Sequence, residues 1–122
     1  MARSCKFMKM AETLKCIYAF EAFLAKKHSL LLNEAIVLCI LDEGRARRST
    51  DLANELGVTY SMMSRTLAAL ERHAFVDRAI GTEDKREMHF TITKGGRKMV
   101  KDLGEGFDFT DFMALFGKKN GE

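Results

Sequence analysis

Apolar residues recur at helical spacing along the first part of the chain, and one long helix is predicted from Phe7 to Lys27. Its apolar positions are Met10, Leu14, Ile17, Phe20, Phe23 and Leu24. Residues 16–25 are apolar nearly all round, with Glu21 as their one charged side chain. A helix of this kind is normally covered on more than one side. Because a chain of 122 residues can hardly surround its own terminal helix, a second subunit is expected to cover it.

Three shorter helices are predicted next, over Leu32–Glu43, Asp51–Leu56 and Tyr60–His73. Gly44 and Gly57 follow the first two, in the position where glycine commonly ends a helix. The third carries its apolar residues at Met63, Leu67 and Leu70, a spacing that places them on one face.

Polar residues with helix-capping side chains precede two of these helices. Ser49 or Thr50 is expected to cap the helix that starts at Asp51, and Thr59 the helix that starts at Tyr60. Two short helices separated by a glycine turn are typical of a helix-turn-helix, although many all-helical cores contain the same pattern.

Strand-like alternation follows, over Phe75–Ile80 and Met88–Thr93. Residues 81–86 between them are polar or charged apart from Gly81, GTEDKR, so a β-hairpin with a basic tip is predicted directly after the helix-turn-helix. A very short strand is also expected near residues 45–48. Thr93 is expected to cap a fifth helix, and the aromatic segment 107–116 to form the last.

These elements predict a mainly α fold with a small β-hairpin wing, which is a winged helix-turn-helix in the α+β class. We expect one domain over residues 1–122. Residues 32–93 contain the predicted winged helix-turn-helix, and residues 7–28 and 94–118 contain the helices towards the two ends.

The charge distribution supports a polyanionic partner. The net charge is +3, but residues 45–101 carry 12 Lys or Arg against 7 Asp or Glu, whereas the remainder carries 8 against 10. A basic central block suits DNA phosphates, although an ordinary solvated surface would have a similar composition.

Other chemistry has little support in the sequence. The three cysteines lack CxxC spacing and the three histidines are far apart, which argues against a disulfide framework or a metal site. Cys16 and Cys39 are predicted to be buried thiols in a reducing cytosol. No nucleophile–base pair or phosphate-binding glycine loop indicates an enzyme, and no cofactor is expected. Neither of the longest apolar stretches is long enough to span a bilayer, so no membrane partner is expected.

The combination of several short motifs resembles the MarR/SlyA family of winged-helix regulators. The residues that carry the resemblance are Asp51–Val58, Ser64-Arg65, Leu70-Glu71, Asp84–Arg86 and Ile92–Gly96. The similarity extends over roughly Leu30 to Leu103, and the short chain is also similar to the Sar-type branch. The resemblance implies a cytoplasmic homodimer with two DNA-binding lobes, each of which contacts double-stranded DNA at a pseudo-palindromic operator. It further implies that residues 32–93 form the DNA-binding lobe and residues 7–28 and 94–118 a helical dimerisation base.

DNA contacts are predicted on the Tyr60 helix, the hairpin tip and the start of the Asp51 helix. Arg65 would contact guanine or a phosphate, or else form a salt bridge within the chain. Arg86 would enter a minor groove, oriented, as the resemblance implies, by Asp84; the alternative is a solvated charged turn. The predicted contacts are Ser49, Thr50, Thr59, Tyr60, Ser61, Ser64, Arg65, Asp84, Lys85 and Arg86. The cations of residues 45–48 would add phosphate contacts.

The apolar stripes of the first and last helices are predicted to form a dimer core rather than a cofactor site. The predicted interface residues are Leu14, Ile17, Phe20, Phe23, Leu24, Phe107, Phe109, Phe112 and Phe116. The family resemblance also implies release of DNA by a small lipophilic or phenolic effector. A cysteine in the first helix senses peroxide in some relatives, and Cys16 lies near that place, but Lys15 beside it is expected to point elsewhere.

The favoured hypothesis is therefore a sequence-specific DNA-binding regulator, most simply a repressor. The alternatives are a winged-helix protein-interaction module without a DNA function and a redox-sensing regulator that acts through Cys16. A basic wing and a polar helix face favour the DNA-binding hypothesis over the interaction module.

Overall fold

The computed structural model describes residues 6–81 and 87–116. In this part of the chain, helices and strands follow the predicted order. They are α1 (Lys6–His28), α2 (Leu32–Leu41), β1 (Arg47–Arg48), α3 (Ser49–Leu56), α4 (Tyr60–Arg72), β2 (Val76–Ile80), β3 (Met88–Ile92), α5 (Lys94–Asp102) and α6 (Thr110–Phe116). The chain divides into two compact units. We call Leu31–Leu103 the central unit, and the residues up to Leu30 together with those from Gly104 the terminal unit.

The central unit contains a three-stranded antiparallel sheet in the order β1-β3-β2. β2 and β3 pair from Val76 opposite Ile92 to Ile80 opposite Met88. β1 adds two residues to the other edge of β3, with Arg48 opposite His89. The predicted fold class, mainly helical with a small hairpin sheet after the helix-turn-helix, is confirmed.

The helices and the sheet of the central unit share one hydrophobic core. Met63, Leu67 and Leu70 of α4 are completely buried or nearly so, as their spacing predicted. The other fully buried members include Val37, Leu38, Leu41, Leu52 and Ala53, and Val76 and Phe90 join them from the sheet. Burial of several leucine-sized side chains, each worth roughly 1.5–3 kcal/mol, holds α4 against α2, α3 and the strands.

Local backbone signals set the turn between α3 and α4. Gly57 has a φ of +82°, a left-handed conformation that glycine adopts without the steric cost of a Cβ. The Thr59 hydroxyl then accepts a hydrogen bond of 3.0 Å from the backbone N–H of Met62. Thr59 is therefore the N-cap of α4, as predicted.

The expected cap of α3 is wrong. Ser49 is the first residue of the helix, its N-cap is Arg48, and no side chain caps the backbone there. The reason is that β1 ends at Arg48 and α3 begins at once. Pairing of residues 47 and 48 with β3 thus determines where the helix starts, and Ser49 and Thr50 lie inside its first turn.

Thr93 begins α5 as predicted. Its hydroxyl accepts a hydrogen bond of 3.0 Å from the N–H of Gly96 and donates one of 2.7 Å to the carbonyl of Ala74. The predicted dimerisation base includes residues 94–118, and within one chain α5 belongs to the central unit. It packs on α2 and β3, because Met99 and Val100 lie against the central core.

In the terminal unit, α1 and α6 carry most of the aromatic residues. The ring centroids of Phe20 and Phe107 lie 5.0 Å apart, and those of Phe107 and Phe109 4.8 Å apart. Phe23 lies 5.2 Å from Phe107. α6 is shorter than predicted because it begins at Thr110, whose N–H and hydroxyl both donate to the carboxylate of Asp108.

Contacts within one chain thus already cover part of the predicted dimer core. Leu24 is completely buried and is not available to a partner, which corrects its assignment to the interface. Ile17, Phe20, Phe23, Phe107 and Phe112 are half-buried, whereas the side chain of Phe116 lies outside the described residues. Large apolar side chains that remain exposed on this unit are Phe7, Met8, Met10, Leu14, Tyr18, Phe109 and Met113.

Candidate nucleic-acid interface

The exposed face of α4 carries the predicted recognition side chains. Ser61, Ser64 and Arg65 are exposed, and Tyr60 has 57% of its surface accessible. They lie opposite the buried stripe because residues three and four apart share one side of a helix. The structure therefore brings these four predicted residues together on the N-terminal half of one helix.

Arg65 is free of carboxylate partners among the described residues. Its Nη1 donates a hydrogen bond of 3.1 Å to the hydroxyl of Ser61, one turn earlier. No aspartate or glutamate occurs between Tyr60 and Leu70. The alternative hypothesis, a salt bridge that occupies Arg65 within the chain, finds no partner in residues 6–81 and 87–116.

The cations of residues 45–48 differ from Arg65 because carboxylates lie beside them. Arg47 forms an ion pair with Glu55, and Arg48 pairs with Asp51 at 3.1 Å and with Glu87 at 3.0 Å. Arg45 lies 3.7 Å from Glu43. Local carboxylates therefore neutralise much of the positive charge that the sequence suggested.

The contacts of Arg48 shift the pKa values of the groups that they join. Hydrogen bonds to Asp51 and Glu87 raise the pKa of Arg48. The hydrogen bond from Arg48 lowers the pKa of Asp51, with partial desolvation opposing it. Arg48, Asp51 and Glu87 therefore form an ion-pair network.

The remaining predicted contacts occupy two places. Ser49 is half-buried and Thr50 exposed in the first turn of α3. Asp84, Lys85 and Arg86 fall on the segment between β2 and β3 and lie outside the described residues. The stem of the hairpin is held to α4 by Arg78, which donates to both carboxylate oxygens of Glu71, at 2.9 and 2.6 Å.

The two described cysteines are less buried than predicted. Cys39 is exposed and Cys16 half-buried, since Cys39 faces away from the buried side of α2. Partial desolvation, followed by the nearby charge of Asp42, raises the pKa of the Cys39 thiol, which disfavours the reactive thiolate.

Cys16 lines a cavity of about 310 Å³ within the terminal unit. Lys15 also lines this cavity. The cavity extends to Phe107, Asp108 and Phe112 on the other segment of this unit.

Two features are absent from the part of the chain that the structure describes. No cluster of three or more His, Cys, Asp or Glu side chains is arranged to hold a metal ion there. None of the described helices combines the length and the apolar character needed to cross a membrane.

The segment that contains the helix-turn-helix matches a known family. Residues 30–88 match the model of the MarR family. The chain carries a MarR-family domain. The matched segment runs from just before α2 to the first residue of β3 and contains the whole helix-turn-helix.

A curated relative of this MarR-family domain is the HTH-type transcriptional regulator PetP of Rhodobacter capsulatus. The two are 36% identical over 56 residues, which is 46% of this chain and 34% of the relative. The similarity thus spans about a third of that relative's length.

Solved structures of MarR-type regulators share the fold. A mutant of MarR from E. coli matches with a TM-score of 0.81 and 16% identity, covering 99% of this chain and 88% of that one. MepR from S. aureus, solved as a DNA complex, matches with a TM-score of 0.80 and 18% identity, covering 98% and 88%. The chain thus shares the winged-helix fold of these two structures.

Several residues that carried the family resemblance have structural roles in this MarR-family domain. Leu52 and Leu70 are core residues, Glu71 holds β2 to α4 through Arg78, and Thr93 with Gly96 starts α5. Sequence reasoning missed the role of Glu87, because its pairing with Arg48 depends on the register of β1 against β3. No signal in the sequence reveals that register.

Proposed function

We propose that this chain is a homodimeric MarR-type transcription regulator that binds a pseudo-palindromic double-stranded DNA operator and acts as a repressor. The observation that carries the proposal is the exposed face of α4, where Tyr60, Ser61, Ser64 and Arg65 stand together without a carboxylate. A polar helix face with a free arginine suits the major groove, where arginine recognises guanine and serine bonds phosphates or base edges.

Other contacts complete the proposed interface. Thr59, at the N-terminus of α4, and Ser49 and Thr50, in the first turn of α3, are proposed to bond backbone phosphates. Lys85 is proposed to contact a phosphate and Arg86 a minor groove, with Asp84 orienting Arg86. MepR, which has the same fold, was solved as a DNA complex, and this supports DNA as the partner.

Dimerisation is proposed to occur through the terminal unit. Its exposed apolar side chains, among them Phe7, Leu14 and Tyr18, form the kind of surface that a second copy covers. Two copies related by a two-fold axis would present two α4 helices to half-sites about one helical turn apart. A small lipophilic or phenolic effector is proposed to release the operator, and the protein is proposed to act in the cytoplasm.

The decisive experiment selects genomic fragments that the protein binds and measures their affinity by fluorescence anisotropy across a range of salt concentrations. We expect a specific fragment with an inverted repeat and an affinity that falls steeply as salt rises. Arg65→Ala should weaken binding by about 10-fold or more, because a good arginine–guanine pair contributes about 1–3 kcal/mol.

Arg72→Ala is the matched control. It removes the same charge from the exposed C-terminal end of the same helix, about 10 Å further along the axis, and should change affinity much less. Absence of binding to any selected fragment at low salt would refute the proposal. Unchanged affinity in an Arg65→Ala, Arg86→Ala double variant would favour the protein-interaction module instead.

A further inference from the structure

Arg48 lies where three elements of the central unit meet. Its guanidinium uses all three nitrogens: Nε and Nη2 donate to the two oxygens of Asp51, each at 3.1 Å, and Nη1 donates to Oε2 of Glu87 at 3.0 Å. Asp51 belongs to the first turn of α3, and Glu87 directly precedes β3. One side chain at the end of β1 therefore joins the helix-turn-helix to the base of the hairpin.

The register of the sheet explains how Glu87 reaches Arg48. Arg48 stands opposite His89, and residues two apart on a strand point to the same face. The other oxygen of Glu87, Oε1, lies 3.3 Å from Nε2 of His89. The backbone carbonyl of Glu87 accepts a hydrogen bond of 2.8 Å from the N–H of Gly81. Glu87 thus contacts Arg48 with its side chain and the opposite strand of the hairpin with its backbone.

A single exposed ion pair contributes little to stability, but a bidentate arginine–carboxylate pair within a network is the exception. The planar fork of arginine can form a bidentate pair with one carboxylate and also contact a second, whereas the ammonium group of lysine cannot form the bidentate pair. The preceding residue, Arg47, differs because among the described residues it forms an ion pair with Glu55 only.

We propose that Arg48, held by Asp51 and Glu87, is a positioning residue that fixes the β2–β3 hairpin against the first helix of the helix-turn-helix. Arg48 acts through these two carboxylates and not as a phosphate contact. The effect of this positioning role on DNA binding rests on the proposed function, since the hairpin must be correctly oriented for both the hairpin and α4 to contact one duplex.

The positioning role is tested first without DNA, by amide hydrogen exchange. Glu87→Ala should accelerate exchange of the Gly81 amide several-fold, because the base of the hairpin loses its attachment to α3. Glu87→Gln, which keeps an acceptor for Arg48, should fall between this variant and the unchanged protein. Glu55→Ala removes an equal charge from the other arginine pair and should leave the Gly81 amide unaffected. Equal protection in Glu87→Ala and the unchanged protein would overturn the inference.

The second test uses the DNA fragment that the unchanged protein binds. Glu87→Ala and Arg48→Lys should each weaken binding by about fivefold, and the double variant should be little weaker than either single variant, because both changes break one contact. Glu55→Ala should bind equally or more tightly, since it only removes a negative charge near DNA.

Whether Glu87→Ala weakens or tightens DNA binding distinguishes two explanations. Tighter binding would mean that Glu87 merely competes with phosphate for Arg48, which contradicts the inference. If the unchanged protein bound no DNA, the proposed function would fall, and the exchange of the Gly81 amide would still decide the positioning role by itself.

Discussion

Gly96 packs directly against the backbone of Phe75: a Cβ at position 96 would lie 2.4 Å from the Phe75 carbonyl oxygen and 2.6 Å from Cγ1 of Ile92. No real Cβ atom approaches a carbonyl oxygen so closely, so any other residue would displace α5 from the strands. The same carbonyl accepts a hydrogen bond of 3.0 Å from the N–H of Thr93. The glycine of the Thr-x-x-Gly motif is therefore required by packing rather than by DNA contact.

Gly96→Ala is expected to destabilise the protein by about 1–3 kcal/mol, the usual cost of overpacking a close contact. Gly95→Ala is the matched control. A Cβ at position 95 would lie 3.6 Å from its nearest neighbour, the carbonyl oxygen of Ala74, and alanine favours the helix by about 1 kcal/mol over glycine. Urea unfolding should show loss of stability in the first variant and none in the second; equal values would contradict this account.

Thr59→Ala is expected to lower the free energy of unfolding by about 1 kcal/mol, because it removes the oxygen that accepts from the Met62 N–H at the start of α4. Thr50→Ala should change it by less than about 0.5 kcal/mol, since Thr50 lies within α3 and its side chain makes no cap hydrogen bond. Thermal unfolding followed by circular dichroism measures both. A larger effect at Thr50 would reverse the assignment of the caps.

Stability should depend on pH through Glu71. The hydrogen bond from Arg78 holds the pKa of Glu71 below its ordinary value near 4.5 in the folded protein, against partial desolvation. A lowered folded pKa stabilises the protein above the unfolded pKa, and this contribution disappears as pH falls through the folded pKa. Because the pair is partly exposed, we expect only about 0.5 kcal/mol at pH 7.

Glu71→Gln should therefore lower stability at pH 7 and converge on the unchanged protein in strongly acidic solution. Urea unfolding between pH 7 and pH 2 checks this, and a parallel Arg78→Gln series should lose the same pH-dependent part. An undiminished difference at pH 2 would show that the carboxylate charge is not responsible.

Leu14→Glu is expected to shift the proposed dimer towards monomer, because it places a charge in the middle of the exposed apolar side of α1, where Leu14 is 45% exposed. Leu31→Glu provides the control, a leucine that is 67% exposed in the central unit. Sedimentation velocity at several protein concentrations distinguishes the two. A monomeric unchanged protein, or an equal effect of both variants, would refute dimerisation through this surface.

The sequence by itself determined the local features of the central unit. The spacing of Met63, Leu67 and Leu70 identified the buried face of α4, and so also the exposed face with Ser61 and Arg65. Thr59 and Thr93 marked helix starts because capping involves residues only two or three apart. These local features depend on backbone periodicity and on hydrogen bonds between residues close in sequence. Both can be inferred from the order of residues.

Contacts between distant segments were decided by the tertiary structure alone. The register of β1 on β3 brought Arg48 to Glu87, 39 positions away, and so created an ion pair that the sequence did not predict. Packing of α5 on the central core removed it from the terminal unit, and enclosure of Leu24 left it unavailable to a second copy. A local pattern states which side chains share a face, but their partners depend on how separate elements pack together.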